Sequence, residues 1–262
     1  MTNVLLSISY DGSDFCGWQR QDKSDGGEPV RTVQGELETA LAKMLKAPVK
    51  LYGSGRTDSG VHARAQKANF LSPFDAIPPS GYVRALNGIL PRDIRIQSAQ
   101  PVPETFNARF DATSRIYRYF IRTGTTPPFA SETRYLWYQP RELNLNRLNE
   151  MAAFLSGEID CATFSAAGDQ SLSTRRYIDR AGFFPAPDRE NTLIFEIEAN
   201  AFLWKMIRSL VGTFVQLDMQ GAAPAVFKEI LDSRNRQRAL MTAPPTGLFL
   251  WDIRFDGIRR HV

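Results

Sequence analysis

Cysteine and histidine are scarce in this sequence, and their scarcity excludes several kinds of site. The two cysteines, Cys16 and Cys161, lie far apart and neither has a CxxC partner. A disulfide scaffold and a cysteine-bound zinc site are therefore both unsupported. The two histidines, His62 and His261, are also far apart. This argues against a histidine-rich metal site, and a catalytic triad would have to use His62.

Long apolar runs are absent as well. No stretch reaches the length that spans a membrane, and the N-terminus lacks the charged-then-apolar pattern of a signal peptide. Motifs for a nucleotide or a metal cofactor are also missing. The sequence thus predicts a protein of a reducing, cytoplasmic compartment with no membrane partner.

The composition that remains is that of an ordinary globular protein. The chain has 262 residues, of which 43% are hydrophobic and 23% charged, which suits one large domain or two small ones. Its net charge of +4 and its pI of about 9.1 amount to a mild basic bias. This bias is compatible with RNA as a partner, but many basic proteins bind no nucleic acid.

The hydrophobic pattern of the first half alternates between strands and helices. Residues 4–10 are β-rich and end at the turn signal Asp11-Gly12, while Thr32 is a typical N-cap for a helix that stops before Pro48. Between them, residues 22–31 contain two glycines and a proline and are interpreted as a flexible loop. The later elements are strands at 49–52 and 61–70, a helix at 78–90 and a strand at 93–98. This order, β-α-β-β-α-β, is the ferredoxin-like arrangement.

The second half repeats this order less regularly. Its predicted elements are strands at 115–122, 177–184, 193–198 and 248–255, and helices at 145–155, 202–217 and 225–231. We therefore expect an α+β fold with two ferredoxin-like halves, residues 1–110 and 111–262. Their strands are expected to form a continuous, mostly antiparallel sheet flanked by helices.

The glycine-rich stretch at residues 53–66 is the most informative part of the chain. Its three glycines would let a loop pack tightly and approach a ligand closely. Arg56 and Asp58 are two residues apart, so in an extended segment their side chains share a face. Such an aspartate could serve as a nucleophile or a base, but it could equally form an Asx-type turn with Arg56 as a structural partner. His62 could be a general base or a satisfied structural group.

Two further segments combine charge with apolar residues. Residues 106–122 mix four arginines with five aromatic residues, namely Arg109, Arg115, Arg118 and Arg122 with Phe106, Phe110, Tyr117, Tyr119 and Phe120. Guanidinium groups can hold phosphates while rings stack on unpaired bases, but a strand with one buried aromatic face and one solvated basic face fits equally well. In the helix predicted at 202–217, Arg208 lies off the apolar stripe and could point at a ligand or at solvent.

The stretch at 53–66 resembles the signature of the tRNA pseudouridine synthase A (TruA) family, whose pattern is G-R-T-D-x-G-V-H-A. Other segments resemble the family in the same order and extend the resemblance over essentially the whole chain. They are Tyr10-Asp11-Gly12-Ser13 with Gly17-Trp18-Gln19, Thr32-Val33-Gln34-Gly35-Glu36-Leu37-Glu38, Ala85-Leu86-Asn87 with Leu90-Pro91, Ala108-Arg109-Phe110 with Arg115-Ile116-Tyr117, Asn200-Ala201-Phe202-Leu203 with Met206-Ile207-Arg208, and Ala243-Pro244-Pro245.

This resemblance implies an activity and a set of site residues. The protein would isomerise uridine to pseudouridine at positions 38, 39 and 40 in the tRNA anticodon stem-loop, with no cofactor and no metal. Asp58 would be the essential catalytic carboxylate, acting at C1′ or as the base that removes the 2′ proton. Arg56 would help to flip or replace the base, Tyr117 would stack on the target uracil, and Arg208 would pair with Asp58 and keep it ionised. The family works as a homodimer, with tRNA spanning both subunits.

Two other functions compete with this one. Ferredoxin-like sheets with basic and aromatic surfaces also occur in catalytically silent RNA-binding proteins, although the intact Arg56-Thr57-Asp58 sequence argues against that alternative. A carboxylate hydrolase usually needs a second acid, and no paired carboxylate motif is apparent.

Overall fold

A computed structural model describes residues 1–21 and 30–260 of the chain. Most of the loop predicted at residues 22–31, namely 22–29, lies outside the described residues. The chain divides into two compact units, and we call Met1–Ala112 with Phe249–Asp256 unit 1, and Thr113–Leu248 with residues 257–260 unit 2. The sequence suggested a single cut after residue 110, whereas in the structure a C-terminal segment belongs to the first unit.

The described elements are mixed helix and strand. The strands are β1 (Thr2–Tyr10), β2 (Tyr52–Gly53), β3 (His62–Ser72), β4 (Ile94–Val102), β5 (Ser114–Thr123), β6 (Trp137–Gln139), β7 (Gly157–Asp160), β8 (Arg175–Pro185), β9 (Thr192–Ala199) and β10 (Leu248–Arg254). The helices are α1 (Val33–Leu45), α2 (Pro79–Ile89), α3 (Leu145–Ala152), α4 (Met206–Met219) and α5 (Pro224–Asp232). The predicted α+β class is confirmed.

The sheet of unit 1 has the strand order β4-β1-β3-β2, and neighbouring strands are antiparallel. This is the order of a ferredoxin-like β-α-β-β-α-β unit. Strand β10 runs parallel to β3 at the opposite end from β2, where Phe249 pairs with His62. The strand predicted to close the second half thus joins the sheet of unit 1, because the two residues of β2 leave the rest of that edge of β3 open.

The prediction of a strand at residues 49–52 is largely wrong, since β2 begins only at Tyr52. The reason lies in helix α1, whose N-cap Thr32 accepts a hydrogen bond from the Gly35 N–H as predicted. Two side chains of this helix take both backbone groups of Leu51. The Leu51 N–H donates to Glu38 Oε1 at 3.2 Å, and the Gln34 amide donates to the Leu51 carbonyl at 3.2 Å. These groups therefore need no strand partner.

The sheet of unit 2 has the order β5-β9-β8-β7 with antiparallel neighbours, and β6 lies parallel to β5. Helix α3 packs against β8, α4 and α5. The sequence did not predict β6 and β7, which are three and four residues long. Strands this short carry too little alternation to be recognised.

Helix α4 begins at Met206, four residues later than predicted. Lys205 adopts a left-handed conformation with φ 58°, which interrupts a helix at that point. The backbone of Trp204 is satisfied elsewhere, since its N–H donates to Asp169 Oδ2 and its carbonyl accepts the Ala166 N–H. Residues 202–205 therefore lie outside the helix.

Each unit has its own apolar core. In unit 1, Leu6, Ile8, Leu37, Leu41 and Phe70 are completely or almost completely buried. In unit 2 the largest buried rings are Tyr119, Phe164, Phe195, Phe214 and Phe227, and the rings of Phe214 and Phe227 stack at 4.4 Å. A fully buried side chain of this size stabilises the fold by about 1.5–3 kcal/mol. Among the described residues, no helix is both long enough and apolar enough to cross a membrane.

Candidate active site

The glycine-rich loop lies in unit 1, between β2 and β3, and its first residues are tied to β3. The Ser54 N–H and Ser54 Oγ both donate to the Lys67 carbonyl, at 2.8 and 2.9 Å. The side-chain amide of Gln66 donates to the Gly55 carbonyl at 2.9 Å. The loop therefore leaves the sheet in a defined direction.

Residues 55–58 lie outside helix and strand, and their side chains differ in exposure. Arg56 is exposed, Thr57 is buried and Asp58 is half-buried. The burial of Thr57 between two more exposed residues agrees with Arg56 and Asp58 sharing a face, as residues two apart do in an extended segment. The Asp58 carbonyl accepts the Val61 N–H at 3.1 Å, which closes the turn that follows.

A second segment, residues 11–18, holds the loop from the other side. The Trp18 N–H donates to the Thr57 carbonyl at 3.1 Å, and the Phe15 carbonyl accepts both the Gly60 N–H at 3.3 Å and Ser59 Oγ at 3.2 Å. At the end of β1, the Tyr10 hydroxyl lies 2.8 Å from Thr57 Oγ1. Both neighbours of Asp58 in the chain are thus fixed by hydrogen bonds.

Glycine is required where the two segments touch. Gly17 has φ +92°, and a Cβ there would lie 2.6 Å from the Thr57 carbonyl oxygen. A Cβ on Gly12 would lie 2.0 Å from the Val61 carbonyl oxygen. Within the loop itself, Gly53 packs against the Trp18 ring, whereas a Cβ on Gly55 would meet nothing within 4 Å. The sequence predicted close packing at all three loop glycines, and at Gly55 this prediction is wrong.

His62 is fully buried at the start of β3. Its Nδ1 accepts the Gly12 N–H at 3.0 Å and lies 3.2 Å from Asp11 Oδ1, and its ring stacks on Phe249 at 4.6 Å. These contacts favour the structural interpretation of His62 over a general base. The histidine fixes the start of the 11–18 segment.

A salt bridge between Arg31 and Asp93 contacts the 11–18 segment at Phe15. Arg31 makes a bidentate pair with Asp93, with distances of 2.8 and 3.1 Å, and its guanidinium lies 4.1 Å from the centre of the Phe15 ring. Bidentate geometry of this kind adds directional specificity to a charge pair. Phe15 is 2% exposed. The contacts that fix its side chain therefore also fix the carbonyl that binds residues 59 and 60.

Tyr117 and Arg208 both belong to unit 2. Tyr117 lies on β5 opposite Ile197, and its ring makes an edge contact with Phe202 at 5.1 Å. Arg208 lies in the first turn of α4, where its Nε donates to the Ala243 carbonyl at 2.8 Å. Burial raises the pKa of Tyr119 well above its usual range, and the positive charge of Arg208 opposes that shift. The guanidinium of Arg208 is thus held beside the core of unit 2 and does not extend freely into solvent.

In the basic and aromatic stretch at 106–122, the part on β5 is mostly buried, whereas Arg109 and Phe110 are exposed. Tyr119 is fully buried and cannot stack on a base, and its hydroxyl donates to the Pro244 carbonyl at 2.7 Å. Arg118 Nε bonds Glu196 Oε2 on β9 at 2.6 Å, and Arg115 bonds the Asn200 carbonyl at 2.7 Å. Aromatic residues are buried on both faces of β5, so the expectation of one solvated basic face is wrong.

Arg56 and Asp58 lie on one loop of unit 1. In unit 2 the rings of Tyr117 and Phe202 are in contact, and Arg208 lies six residues after Phe202, in α4. The roles of Tyr10 and Gly17 in holding the loop were missed at the sequence level, although both lie in the segments that resemble the family. Their proximity to residue 57 is a tertiary contact that spacing cannot reveal.

Comparisons with known proteins identify the family of the chain. The family model described as tRNA pseudouridine synthase matches residues 6–111 and 151–256. A tRNA pseudouridine synthase A of Treponema denticola is 55% identical over 253 residues, which cover 97% of this chain and 92% of that protein. Proteins of the same name from Treponema pallidum and Brachyspira hyodysenteriae are 42% and 39% identical, and cover 92% and 95% of this chain and 84% and 96% of their own lengths. The chain belongs to the tRNA pseudouridine synthase A family.

Proposed function

We propose that the protein isomerises uridine to pseudouridine at positions 38, 39 and 40 in the anticodon stem-loop of tRNA. Membership of the family makes the chain a tRNA pseudouridine synthase, an isomerase. The positions are those implied by the family resemblance. The substrate is a base within folded RNA, so it must first leave its stack, at a cost of a few kcal/mol.

The reaction rearranges atoms that are all present in the substrate. The N1–C1′ bond breaks, the uracil turns, and a C5–C1′ bond forms. C5 loses its proton when the new bond is complete, while N1 takes up a proton. No electrons are gained or lost overall, so side chains that hold the sugar and move protons suffice for the chemistry.

Asp58 is the catalytic carboxylate in this proposal. It acts either at C1′ or on the 2′ proton. Arg56, on the same face of the loop, replaces or orients the flipped base, and Tyr117 and Arg208 contact the substrate. The observation that carries the proposal is the anchoring of the Arg56-Thr57-Asp58 segment, because hydrogen bonds at residues 57, 59 and 60 hold the chain on both sides of Asp58 before substrate arrives.

The test is release of tritium from tRNA that carries 5-tritiated uridine, since C5 loses its hydrogen during the reaction. Asp58→Asn should abolish release, while its affinity for tRNA stays within about tenfold because phosphate contacts dominate binding. Asp188→Asn is the matched control, because Asp188 is an exposed carboxylate in the turn between β8 and β9. Near-normal release by Asp58→Asn would refute the assignment.

The same assay separates the rival function. A catalytically silent RNA-binding protein would bind tRNA with a steep salt dependence and release no tritium. We further propose that the protein acts in the cytoplasm as a homodimer that binds the anticodon arm. Sedimentation of the protein with and without tRNA tests the stoichiometry.

A further inference from the structure

Trp204 is an exposed tryptophan at a fixed position in unit 2. It lies in the connection between β9 and α4 and is 46% exposed, whereas Trp18 is only 2% exposed. Single exposed apolar residues are common on folded proteins, so the case for Trp204 depends on how its ring is held and on what lies beside it.

The position of Trp204 is set by its backbone. Its N–H donates to Asp169 Oδ2, and its carbonyl accepts the Ala166 N–H at 3.0 Å. The Asp169 carboxylate also accepts the Ser171 N–H at 2.8 Å. Burial acts to raise the pKa of Asp169, but the hydrogen bonds from Ser171 and Trp204 outweigh it and lower the pKa. The indole is thus presented by an ordered turn.

A cation accompanies the exposed ring. Lys205 Nζ lies over the Trp204 ring, 4.7 Å from its centre, within the range of a cation–π interaction. A base that stacks on this face therefore displaces the ammonium group from the ring towards a phosphate. An aromatic face next to an ammonium group has the chemistry that single-stranded nucleic acid requires, because the ring stacks on a base and the cation neutralises a phosphate. Lysine is depleted at protein–protein interfaces, which favours RNA over a protein partner here.

The location ties this pair to the predicted substrate contacts of unit 2. Phe202, whose ring touches Tyr117, lies two residues before Trp204, and Arg208 lies four residues after it. Two residues of extended chain span at most about 7 Å. The backbone of Trp204 therefore lies within about 7 Å of that of Phe202, the residue that contacts Tyr117.

We propose that Trp204 and Lys205 form a nucleotide subsite, in which the indole stacks on a tRNA base neighbouring the target uridine and the ammonium group binds a phosphate. The inference rests on the proposed function, since it takes tRNA as the ligand. It adds a substrate contact outside the Arg56-Thr57-Asp58 loop. The base is recognised by its aromatic face, so the subsite accepts any of the four bases.

The experiment measures tRNA affinity, using unmodified tRNA transcript, for four variants. Trp204→Ala should bind about tenfold more weakly, Trp204→Leu should resemble Trp204→Ala, and Trp204→Phe should recover most of the loss, because stacking needs a ring. Lys205→Met should lower the slope of log K against log salt by about 0.7. All four variants should have melting temperatures close to that of the wild type, because residue 204 is held through its backbone N–H and carbonyl and not through its side chain.

Two controls make the result specific. Phe74→Ala removes another exposed ring, 48% exposed, which lies next to the carboxylate of Asp75 and should not attract phosphate. Binding of tRNA should quench tryptophan fluorescence in the wild type and much less in Trp204→Phe. An unchanged affinity in Trp204→Ala would overturn the proposal. So would a loss that occurs equally in Phe74→Ala, or a change in oligomeric mass with unaltered tRNA affinity.

The binding measurements do not depend on turnover. If the wild type released no tritium, the proposed isomerisation would fail, while the Trp204 variants would still report on the subsite. If the wild type released tritium and Trp204→Ala bound normally, only the subsite would be refuted.

Discussion

At the scale of single residues, the hydroxyl pair of Tyr10 and Thr57 connects the end of β1 to the glycine-rich loop. Tyr10 is 4% exposed and Thr57 is 7% exposed, and their oxygens are 2.8 Å apart. A buried hydrogen bond contributes about 0.5–1.5 kcal/mol, and the loss of one partner leaves the other unsatisfied. Because Thr57 precedes Asp58, the proposed catalytic role of Asp58 makes this bond a positioning contact for the carboxylate.

Tyr10→Phe should therefore lower kcat about three- to tenfold and leave KM nearly unchanged. Single-turnover tritium release with saturating tRNA measures the effect. Thr57→Ser, which keeps the hydroxyl, should retain most of the activity, whereas Thr57→Val should not. The double variant Tyr10→Phe/Thr57→Val should be no worse than Thr57→Val alone.

Tyr82→Phe is the matched control for this change. Tyr82 is 2% exposed and its hydroxyl donates to Ser72 Oγ at 2.7 Å, within the same unit but away from the loop. Its loss should cost similar stability and leave kcat unchanged. Equal losses of kcat in Tyr10→Phe and Tyr82→Phe would show that general destabilisation explains both.

At the scale of elements, the packing between residues 11–18 and the glycine-rich loop requires glycine at position 17. At position 55 of the loop there is room for a side chain. Gly17 combines φ +92° with a Cβ position 2.6 Å from a backbone oxygen. Neither strain nor clash can be relieved by a side-chain movement, because the contacted atom is backbone. Gly55 has open space at the same position.

Gly17→Ala should lower the free energy of unfolding by about 2 kcal/mol or more and reduce activity at least tenfold. Gly55→Ala should stay within about 0.5 kcal/mol of the wild type and keep its activity. Urea denaturation and tritium release provide the two measurements. Equal tolerance of both substitutions would contradict the close approach of residues 17 and 57.

At the scale of the whole molecule, the net charge of +4 does not reveal which cations are available to RNA. Arg118 bonds Glu196, which also receives Arg180 at 3.1 Å, so its charge is already offset. Arg109 is exposed on a turn where its N–H bonds Asn107 Oδ1 at 2.9 Å. Only a cation that displaces counterions from phosphate contributes to the salt dependence of binding.

Arg109→Met should therefore reduce the slope of log K against log salt by roughly 0.7–0.9. Arg118→Met should change it by less than half of that amount. Filter binding of tRNA over a range of salt concentrations gives both slopes. A flat salt dependence in the wild type would favour a small-molecule substrate instead.

Several of these features could be predicted because they depend on local spacing. The N-cap at Thr32 and the strand that ends at Tyr10 follow from hydrogen bonding and side-chain periodicity over a few residues. The start of α4 was misplaced because the left-handed Lys205 and the anchoring of Trp204 by Asp169 involve a loop more than thirty residues away in sequence.

The sequence by itself determined the fold class, the family and the loop that carries Asp58, because residue types and their spacing along the chain are sufficient for each. Only the tertiary structure decided that residues 11–18 hold this loop, that β10 pairs with β3, and that Tyr119 is buried while Trp204 is exposed. Each of these features depends on contacts between segments that are far apart in the sequence. The free energy of such contacts comes from packing and from the pairing of backbone groups, which local pattern does not encode.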